Sequence, residues 1–301
     1  MYQVLLIMLI LMGLGVVLQI IKIFPLGTAP LLNKFVLYIS FPCLVFRSLQ
    51  PANIETAYWK IPPFAFFIIT SIFLLAYSWG KYGLKFSPSS SASFAMGAAF
   101  GNTAFLGYPF VIALLGEKAL PPAIFFDQMG NFLVVYTVGV TFCVYSKFQK
   151  FSFSSFKEIF KLPPFLAFFV ALILNQIPIP TLIIDTINRL ADTTVPIIMI
   201  AIGLSLSIKQ VSRRFVPILY ATFIKLILLP IIFLMLTRFI HFESVIQQVM
   251  VIQSATPTLM SSFALASLYM LDTELCSSII FTTTVLSFVT LPLWNFILHY
   301  F

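Results

Sequence analysis

The chain has 301 residues, of which 60% are hydrophobic and only 9% are charged, and its formal net charge is +8. Almost every segment long enough to cross a bilayer is apolar enough to do so, which leaves no residues for a soluble domain. The composition therefore predicts an all-α polytopic membrane protein. Its basic residues are scattered over short loops, a pattern typical of membrane topology rather than of nucleic-acid binding. Cys43, Cys143 and Cys276 all lie in apolar runs, so neither a disulfide nor a metal site is predicted.

Hydropathy and turn residues predict ten spans in chain order. The first has no basic segment before it and no small-residue cleavage site after it, so we interpret it as a retained helix rather than a signal peptide. The longest polar stretch, 145–161, is predicted to be a loop or an interfacial segment. The ten predicted spans are 2–21, 31–49, 62–80, 92–115, 121–145, 162–178, 181–207, 215–239, 245–270 and 275–298.

The basic residues in the loops predict the orientation of these spans. If the N-terminus is outside, eleven basic residues fall in the inner loops and five in the outer loops. This distribution follows the positive-inside rule and predicts a multi-pass protein of the cell membrane with both termini on the extracytoplasmic face. Lys225 belongs to neither set, because it lies in the middle of the eighth predicted span.

The two halves of the chain resemble each other. An offset of 155 residues aligns residue types that are rare in this chain: Pro25 with Pro180, Asn33 with Asn188, Lys34 with Arg189, Pro62 with Pro217, Thr103 with Thr258 and Glu117 with Asp272. We therefore predict two five-helix repeats, 1–150 and 151–301. Because five is an odd number, the second repeat enters the membrane from the opposite side and the repeats are inverted.

The fourth and ninth predicted spans are interrupted by polar and helix-breaking residues. The first interruption is FGNTAFLGYP at 100–109, and the second lies in SATPTLMSS at 254–262. Free backbone groups are costly in a bilayer, so broken helices persist only where protein buries them or where they line a cavity. We predict that helices 4 and 9 cross and form a binding site at the midplane, with four hinge residues: Gly101, Gly107, Pro109 and Pro257.

Several of these stretches resemble the auxin efflux carrier family of secondary transporters, which includes the plant PIN carriers. The similar segments are LNKFVLYISFPCLVFRSL, FGNTAFLGYPFVIALLGEKAL, TTVPIIMIAIGLSLS, KLILLP and ATPTLMSSFALASLYMLD. The resemblance implies the fold of bile acid/sodium symporters and sodium/proton antiporters, with a scaffold of helices 1, 2, 6 and 7 and a transport core of helices 3–5 and 8–10 that moves as an elevator. It leaves open whether the scaffold helices also form a homodimer.

The same resemblance assigns roles to residues of the crossing. Asn102 matches the family's crossover asparagine, Pro257 its crossover proline, and Asn131 a polar position that faces the substrate. Beside these three, the polar side chains next to the two interruptions are candidates for substrate binding: Thr103, Thr258 and Ser261.

Asp127 and Lys225 are the two charged residues predicted within spans. A central lysine costs about 2.5–3.5 kcal/mol on insertion scales, so something must compensate it. We hypothesise that the two form a titratable pair that couples transport to protons, or that Lys225 holds an anionic substrate. The alternative is a structural lysine bonded to carbonyl oxygens of the crossover.

Three functions are compared. The first is transport of a small organic anion, implied by the resemblance to be an auxin-like weak acid or a dicarboxylate such as malate or malonate, with a proton or sodium as coupling ion. The second is a cation/proton antiporter, which commonly needs two core acids, whereas this chain offers Asp127 alone. An intramembrane enzyme is disfavoured because His241 and His299 lie at span ends, and no P-loop or cofactor motif is present.

Overall fold

A computed structural model describes residues 2–25, 27–149, 162–205 and 214–300, and these residues form an all-helical protein. We number its helices α1 to α12, counting π-helical and 3-10 turns with the helices they continue. The bounds are α1 Tyr2–Ile20, α2 Thr28–Leu49, α3 Thr56–Gly83, α4 Pro88–Ala99, α5 Gly107–Leu115, α6 Glu117–Phe148, α7 Pro163–Ile173, α8 Thr181–Ser205, α9 Phe215–Phe239, α10 Ser244–Ser254, α11 Ser261–Leu268 and α12 Thr273–Tyr300.

Six helices of the described residues are long and apolar enough to cross a membrane. They are α2, α3, α6, α8, α9 and α12, with 22 to 32 residues each. At 1.5 Å per residue they extend about 33–48 Å, which exceeds the bilayer's hydrocarbon core of about 30 Å. Shorter apolar helices occupy Leu6–Ile20 and Pro163–Ile173.

The helix α7 ends earlier than the sequence predicts, at Ile173 instead of residue 178. The reason lies in Asn175, whose side-chain amide donates to the carbonyl oxygens of Leu49, Gln50 and Ala52 at 2.8–3.0 Å. These bonds tie the chain to the end of α2, where α2 lacks helical partners for its last carbonyls. The turn after α7 is therefore stabilised by tertiary contacts rather than by further helix.

The helices pack in two groups. In the first, α1 lies against α8, and α2 packs on both α7 and α8. In the second, α3 packs on α4 and α6, α9 packs on α10, and α4 also contacts α9 and α12. Glycines bring α1 and α8 together: a Cβ atom on Gly15 would lie 2.3 Å from the carbonyl oxygen of Ile200. Small residues allow this close approach of helix backbones in membrane proteins.

The predicted spans 92–115 and 245–270 are each divided into two helices. The first is interrupted between α4 and α5, and the second between α10 and α11. Residues 150–161 and 206–213 lie outside the described parts of the chain, and with them the predicted boundary between repeats. Five of the basic residues counted for the inner loops also lie there: Lys150, Lys157, Lys161, Lys209 and Arg213.

Candidate functional site: a crossing of two interrupted helices

The two interruptions meet and pair through their backbones. The amide of Asn102 donates to the carbonyl oxygen of Pro257 at 2.7 Å, and the amide of Leu259 donates to that of Phe100 at 3.0 Å. Gly101 and Thr258 form an antiparallel bridge. Each segment thus satisfies backbone groups that the other leaves free, as the low-dielectric interior of a membrane protein requires.

Close packing explains the two glycines of the first interruption. A Cβ atom on Gly101 would lie 2.7 Å from the hydroxyl oxygen of Thr256, and one on Gly107 would lie 2.1 Å from the side-chain oxygen of Gln253. Pro109 lies in the first turn of α5, where the backbone amides have no helical acceptor and a missing N–H costs little. Pro257 lies in the second interruption and contributes its carbonyl oxygen to Asn102. Hinge roles for these four residues stay predictions.

Side chains of neighbouring helices brace the second interruption. The hydroxyl of Thr258 donates to the carbonyl oxygen of Gly97 at 2.6 Å, and its backbone amide donates to the hydroxyl oxygen of Thr283 at 3.1 Å. Lys225 is fully buried, and its ammonium group donates to the carbonyl oxygen of Ser254 at 2.5 Å. Ser254 ends α10, so the cation lies at the partially negative end of a helix.

The side chain of Asn131 is hydrogen-bonded to the backbone of the first interruption. Its amide nitrogen donates to the carbonyl oxygen of Gly101 at 2.9 Å, and its amide oxygen accepts from the Gly101 amide at 3.3 Å. The same nitrogen lies 2.9 Å from the hydroxyl oxygen of Thr103. Asn131 lies in a π-helical turn, Phe126–Asn131, that also contains Asp127. Such turns are frequent at functional sites.

Asp127 is buried and accepts hydrogen bonds from three side chains. Thr103 donates its hydroxyl to Oδ1, while the Tyr108 hydroxyl and the Gln128 amide donate to Oδ2 at 2.9 and 2.8 Å. Among the described residues Asp127 and Lys225 form no ion pair in this conformation, and a role of either one in proton coupling stays a prediction. Both residues are described, and the bonds of each go elsewhere, since Lys225 donates to Ser254. Lys225 instead fits the structural alternative, a lysine bonded to a carbonyl oxygen at the crossover.

A cavity of about 110 Å³ lies beside the crossing, between the two groups of helices. This volume corresponds to roughly four water molecules at their share of the liquid. Four of the predicted site residues line it: Asn102, Asp127, Asn131 and Ser261. Thr103, Pro257, Thr258 and Lys225 do not line it and bond to protein groups instead. The other lining residues are Leu37, Phe41, Ala104, Phe105, Gln128, Phe132, Val135, Tyr136, Leu162, Pro164, Leu259, Met260 and Leu265.

Two polar atoms of this lining have unused hydrogen-bonding capacity. Asn102 is 1% exposed, and within the described chain its Nδ2 donor has no partner; the Oε1 acceptor of Gln128 is likewise unpaired. Buried polar atoms are ordinarily satisfied, so such atoms on a cavity wall indicate a place for a polar ligand. Asp127 is the one charged side chain in the lining that the structure describes.

A second, larger space of about 840 Å³ opens at the face that the sequence predicts to be outer, and we call it the vestibule. Five charged side chains line it: Arg47, Glu55, Glu117, Lys118 and Asp192. Arg47 of α2 forms an ion pair with Asp192 of α8 at 2.5 Å. Surface ion pairs of this kind contribute about 0–1 kcal/mol. This one therefore fixes the orientation of two side chains in the vestibule lining and adds little to the free energy of unfolding.

Aromatic side chains pack together next to the cavity, whose lining includes Phe41 and Phe105. The rings of Phe41 in α2 and Tyr108 in α5 are stacked with centroids 5.1 Å apart and planes 15° from parallel. Phe41 also meets Phe105 edge-on at 6.1 Å. Sequence reasoning did not find this contact. The signal was present in the tyrosine between Gly107 and Pro109, but its partner on α2 is fixed only by tertiary packing.

Within the described residues, no group of three or more His, Cys, Asp or Glu side chains is placed to hold a metal ion. Comparison with known proteins gives one family, described as membrane transport protein, whose profile matches residues 1–295. The chain is 31% identical to an uncharacterized transporter of Methanocaldococcus jannaschii, with 98% of both chains covered. It is 30% identical to an uncharacterized transporter of Methanothermobacter thermautotrophicus, with 96% of both chains covered.

The name of a third similar protein includes a substrate. A Rhizobium meliloti protein, whose name assigns it provisionally as a malonate transporter, is 25% identical to this chain. The match covers 86% of this chain and 83% of that protein.

Proposed function

Because the chain belongs to the membrane transport protein family, that of the auxin efflux carriers, we propose that it is a secondary transporter for a small organic anion, a weak carboxylic acid or a dicarboxylate. The observation that carries this proposal is Asn102, which lines a small cavity at the crossing of two interrupted helices and whose buried Nδ2 donor has no partner among the described residues. A donor on an apolar wall suits an oxygen of a carboxylate, which accepts hydrogen bonds and donates none when ionised.

The proposed architecture is ten membrane helices in two inverted five-helix repeats, 1–150 and 151–301. The offset of 155 residues supports it. It aligns Gly101 of the first interruption with Thr256 of the second, and these two residues are in contact. The packing of α1, α2, α7 and α8 as one group and of the remaining helices as another fits a scaffold and a transport core. An elevator-type movement of the core against the scaffold would then carry the crossing from one face to the other.

The size of the cavity favours a small substrate. About 110 Å³ accommodates a three- or four-carbon acid better than a large aromatic one in this conformation. The name of the Rhizobium meliloti relative supports the same class, that of short dicarboxylates.

A proton is the coupling ion that the charges of the cavity favour. A substrate carboxylate beside an ionised Asp127 would be repelled in a low-dielectric site, and the described lining contains no basic side chain to offset that repulsion. Protonation of Asp127 removes the repulsion, so anion and proton bind more tightly together than separately. Lys225 then acts as a brace of the crossover rather than as a direct ligand.

The proposed location is the cell membrane, with both termini extracytoplasmic. The positive-inside distribution supports this: Lys34, Lys81 and Lys85 belong to the predicted inner loops, while residues of the predicted outer loops, such as Glu55 and Lys118, line the vestibule. The vestibule then opens to the outside.

Uptake into proteoliposomes tests the proposed function. We expect saturable uptake of at least one labelled short mono- or dicarboxylate from a panel that also contains amino acids, and acceleration by an inward proton gradient. An imposed sodium gradient at constant pH is the control, and it should leave the rate unchanged. Sodium- or potassium-driven proton flux with no movement of any carboxylate would overturn the proposal in favour of a cation/proton antiporter.

A further inference from the structure

The helices α2 and α6 line both the vestibule and the cavity, and the segment between them in the chain passes from Phe105 in the cavity lining to Ile112 in the vestibule lining. Along α2 the lining passes from Phe41 to Arg47, and along α6 from Asp127 to Pro121. Six helical residues correspond to about 9 Å. A barrier of about that thickness therefore separates the two spaces.

Tyr108 lies in the chain between Phe105 of the cavity and Ile112 of the vestibule, and its side chain contacts both groups of helices. Its ring is stacked on Phe41 of α2, which belongs to the group formed by α1, α2, α7 and α8. Its hydroxyl donates to Oδ2 of Asp127 at 2.9 Å within the other group. The side chain is fully buried, so no solvent competes for this bond.

Asp127 is the ionisable side chain to which Tyr108 is hydrogen-bonded, and its charge depends on whether it is protonated. The helical segments 61–78, 88–99, 107–115, 163–173 and 244–254 around it contain no Asp, Glu, Lys, Arg or His. On α2 the charged residues are Lys34 and Arg47, which pairs with Asp192 in the vestibule, and on α9 they are Arg238 and Lys225, which donates to Ser254. On α12, which also packs against α5, they are Glu274 and His299 near the two ends of the helix. Tyr136 is the other titratable side chain in the cavity lining.

We propose that Tyr108 is a proton-sensitive latch, a positioning residue that holds the barrier against Phe41 while Asp127 is ionised and releases it when Asp127 is protonated. This inference rests on the proposed function, because it names how the coupling proton acts. An ionised carboxylate is the stronger acceptor, and a hydrogen bond to it is roughly twice as strong as one to a neutral group. Protonation therefore loosens the hydroxyl that fixes the ring, and the path from vestibule to cavity opens for the protonated carrier.

Cysteine labelling tests the latch without any transported substrate. Ala104→Cys places a thiol on the cavity wall, and Ser48→Cys places one in the vestibule as a reference, both in a Cys43→Ala background. A membrane-impermeant maleimide is added on the vestibule side of sealed vesicles at pH 5 and pH 8. The ratio of the two labelling rates removes the intrinsic pH dependence of thiol reactivity.

With Tyr108 present, we expect this ratio to be about fivefold higher at pH 5 than at pH 8, from the weaker bond to a neutral acceptor. Tyr108→Phe keeps the stacked ring and lacks the hydroxyl, so its ratio should be high at both pH values, as should that of Asp127→Asn. Phe41→Leu removes the stacked partner and should abolish the pH dependence as well. A full pH dependence in Tyr108→Phe, or none in the parent protein, would overturn the latch.

The two proposals fail in different ways. Labelling that follows the prediction while no carboxylate is taken up would leave the latch standing and remove the proposed substrate class. Carboxylate uptake together with a full pH dependence of the labelling ratio in Tyr108→Phe would leave the proposed substrate class standing and remove the latch.

Discussion

The two interruptions share one backbone geometry and differ in what their side chains do. In the first, around Asn102, a donor faces a cavity unpaired, and the adjacent Asp127 is surrounded by three donors. In the second, around Thr258, the hydroxyl and the amide are both bonded to protein groups, and Lys225 caps the preceding helix. Both interruptions thus contribute a polar residue to the cavity lining, Asn102 and Ser261, while the unpaired hydroxyl of Ser262 belongs to a residue outside that lining.

We therefore expect the two interruptions to have different roles. The first is proposed to bind the substrate, while the second is held by bonds to neighbouring helices and lines the cavity with Leu259 and Met260 beside Ser261. Substitutions in the first should alter transport at constant stability, whereas substitutions in the second should alter stability.

The largest expected effect is on transport by Asn102→Ala. Because Nδ2 has no protein partner, its removal costs the fold little, but it deletes a bond to a charged substrate worth about 1.5–3 kcal/mol, which is tenfold or more in affinity. Initial uptake rates at subsaturating carboxylate should fall by that factor while the melting temperature stays unchanged. Asn53→Ala in the vestibule is the matched control. An equal loss of uptake and of melting temperature would contradict a ligand role for Asn102.

The second interruption should respond to Lys225→Met mainly through stability. The substitution leaves the buried carbonyl oxygen of Ser254 without its donor, which costs about 1–3 kcal/mol. Chemical unfolding of the purified protein in detergent measures this loss, with Lys60→Met at an exposed position as control. Full stability combined with lost uptake would instead return Lys225 to the role of a substrate or coupling residue.

A smaller loss is expected from Thr258→Val. Its hydroxyl donates to Gly97, and a buried hydrogen bond of this kind contributes about 0.5–1.5 kcal/mol. Uptake per folded molecule should be retained, since Thr258 does not line the cavity. Thr186→Val is the control because that hydroxyl bonds within its own exposed helix. Lost uptake at full stability would show that Thr258 binds the substrate after all.

The smallest effect on stability is expected for Asp272, which lies between α11 and α12. The predicted repeat aligns Asp272 with Glu117 in the vestibule. Burial raises the pKa of Asp272, but hydrogen bonds from the Leu275 amide, Ser90 and Arg214 outweigh it and hold the pKa below its ordinary value. Its stabilising contribution is therefore complete above the unfolded pKa of about 3.9 and is lost as the pH falls through the lower folded pKa.

The stability lost in Asp272→Asn should accordingly be the same at pH 7 and pH 5 and should shrink below pH 4. Its size should be about 1 kcal/mol or less, because the Arg214 partner is 39% exposed and solvent screens the pair. Unfolding curves at these pH values, with Asp185→Asn as control, measure it. A difference that grows as the pH falls would contradict the assigned direction.

The positions of the two interruptions were predictable, because glycine, proline and polar residues are conspicuous within apolar spans. Asn102, Asp127, Asn131 and Ser261 were therefore found, and all four line the cavity. Hydropathy reports the depth of a residue but not the direction in which its side chain points around the helix axis.

The same holds for Asp127 and Lys225, whose side chains bond to different partners in this conformation. Both residues lie in π-helical turns, Phe126–Asn131 and Ile224–Leu228, and such turns shift the rotational phase of a helix without a clear mark in the sequence. The stacking of Phe41 on Tyr108 escaped for a related reason, because it depends on how two helices from different groups are placed against each other.

Protection of a cysteine by substrate tests most directly whether the first interruption is where the substrate binds. Ser261→Cys, in a Cys43→Ala background, exposes a thiol at the cavity. The account predicts that a transported carboxylate slows its labelling with a half-maximal concentration equal to the KM of uptake, while labelling of Lys85→Cys, at the predicted inner face, is unaffected. Labelling of Ser261→Cys that stays unchanged at saturating carboxylate would contradict it.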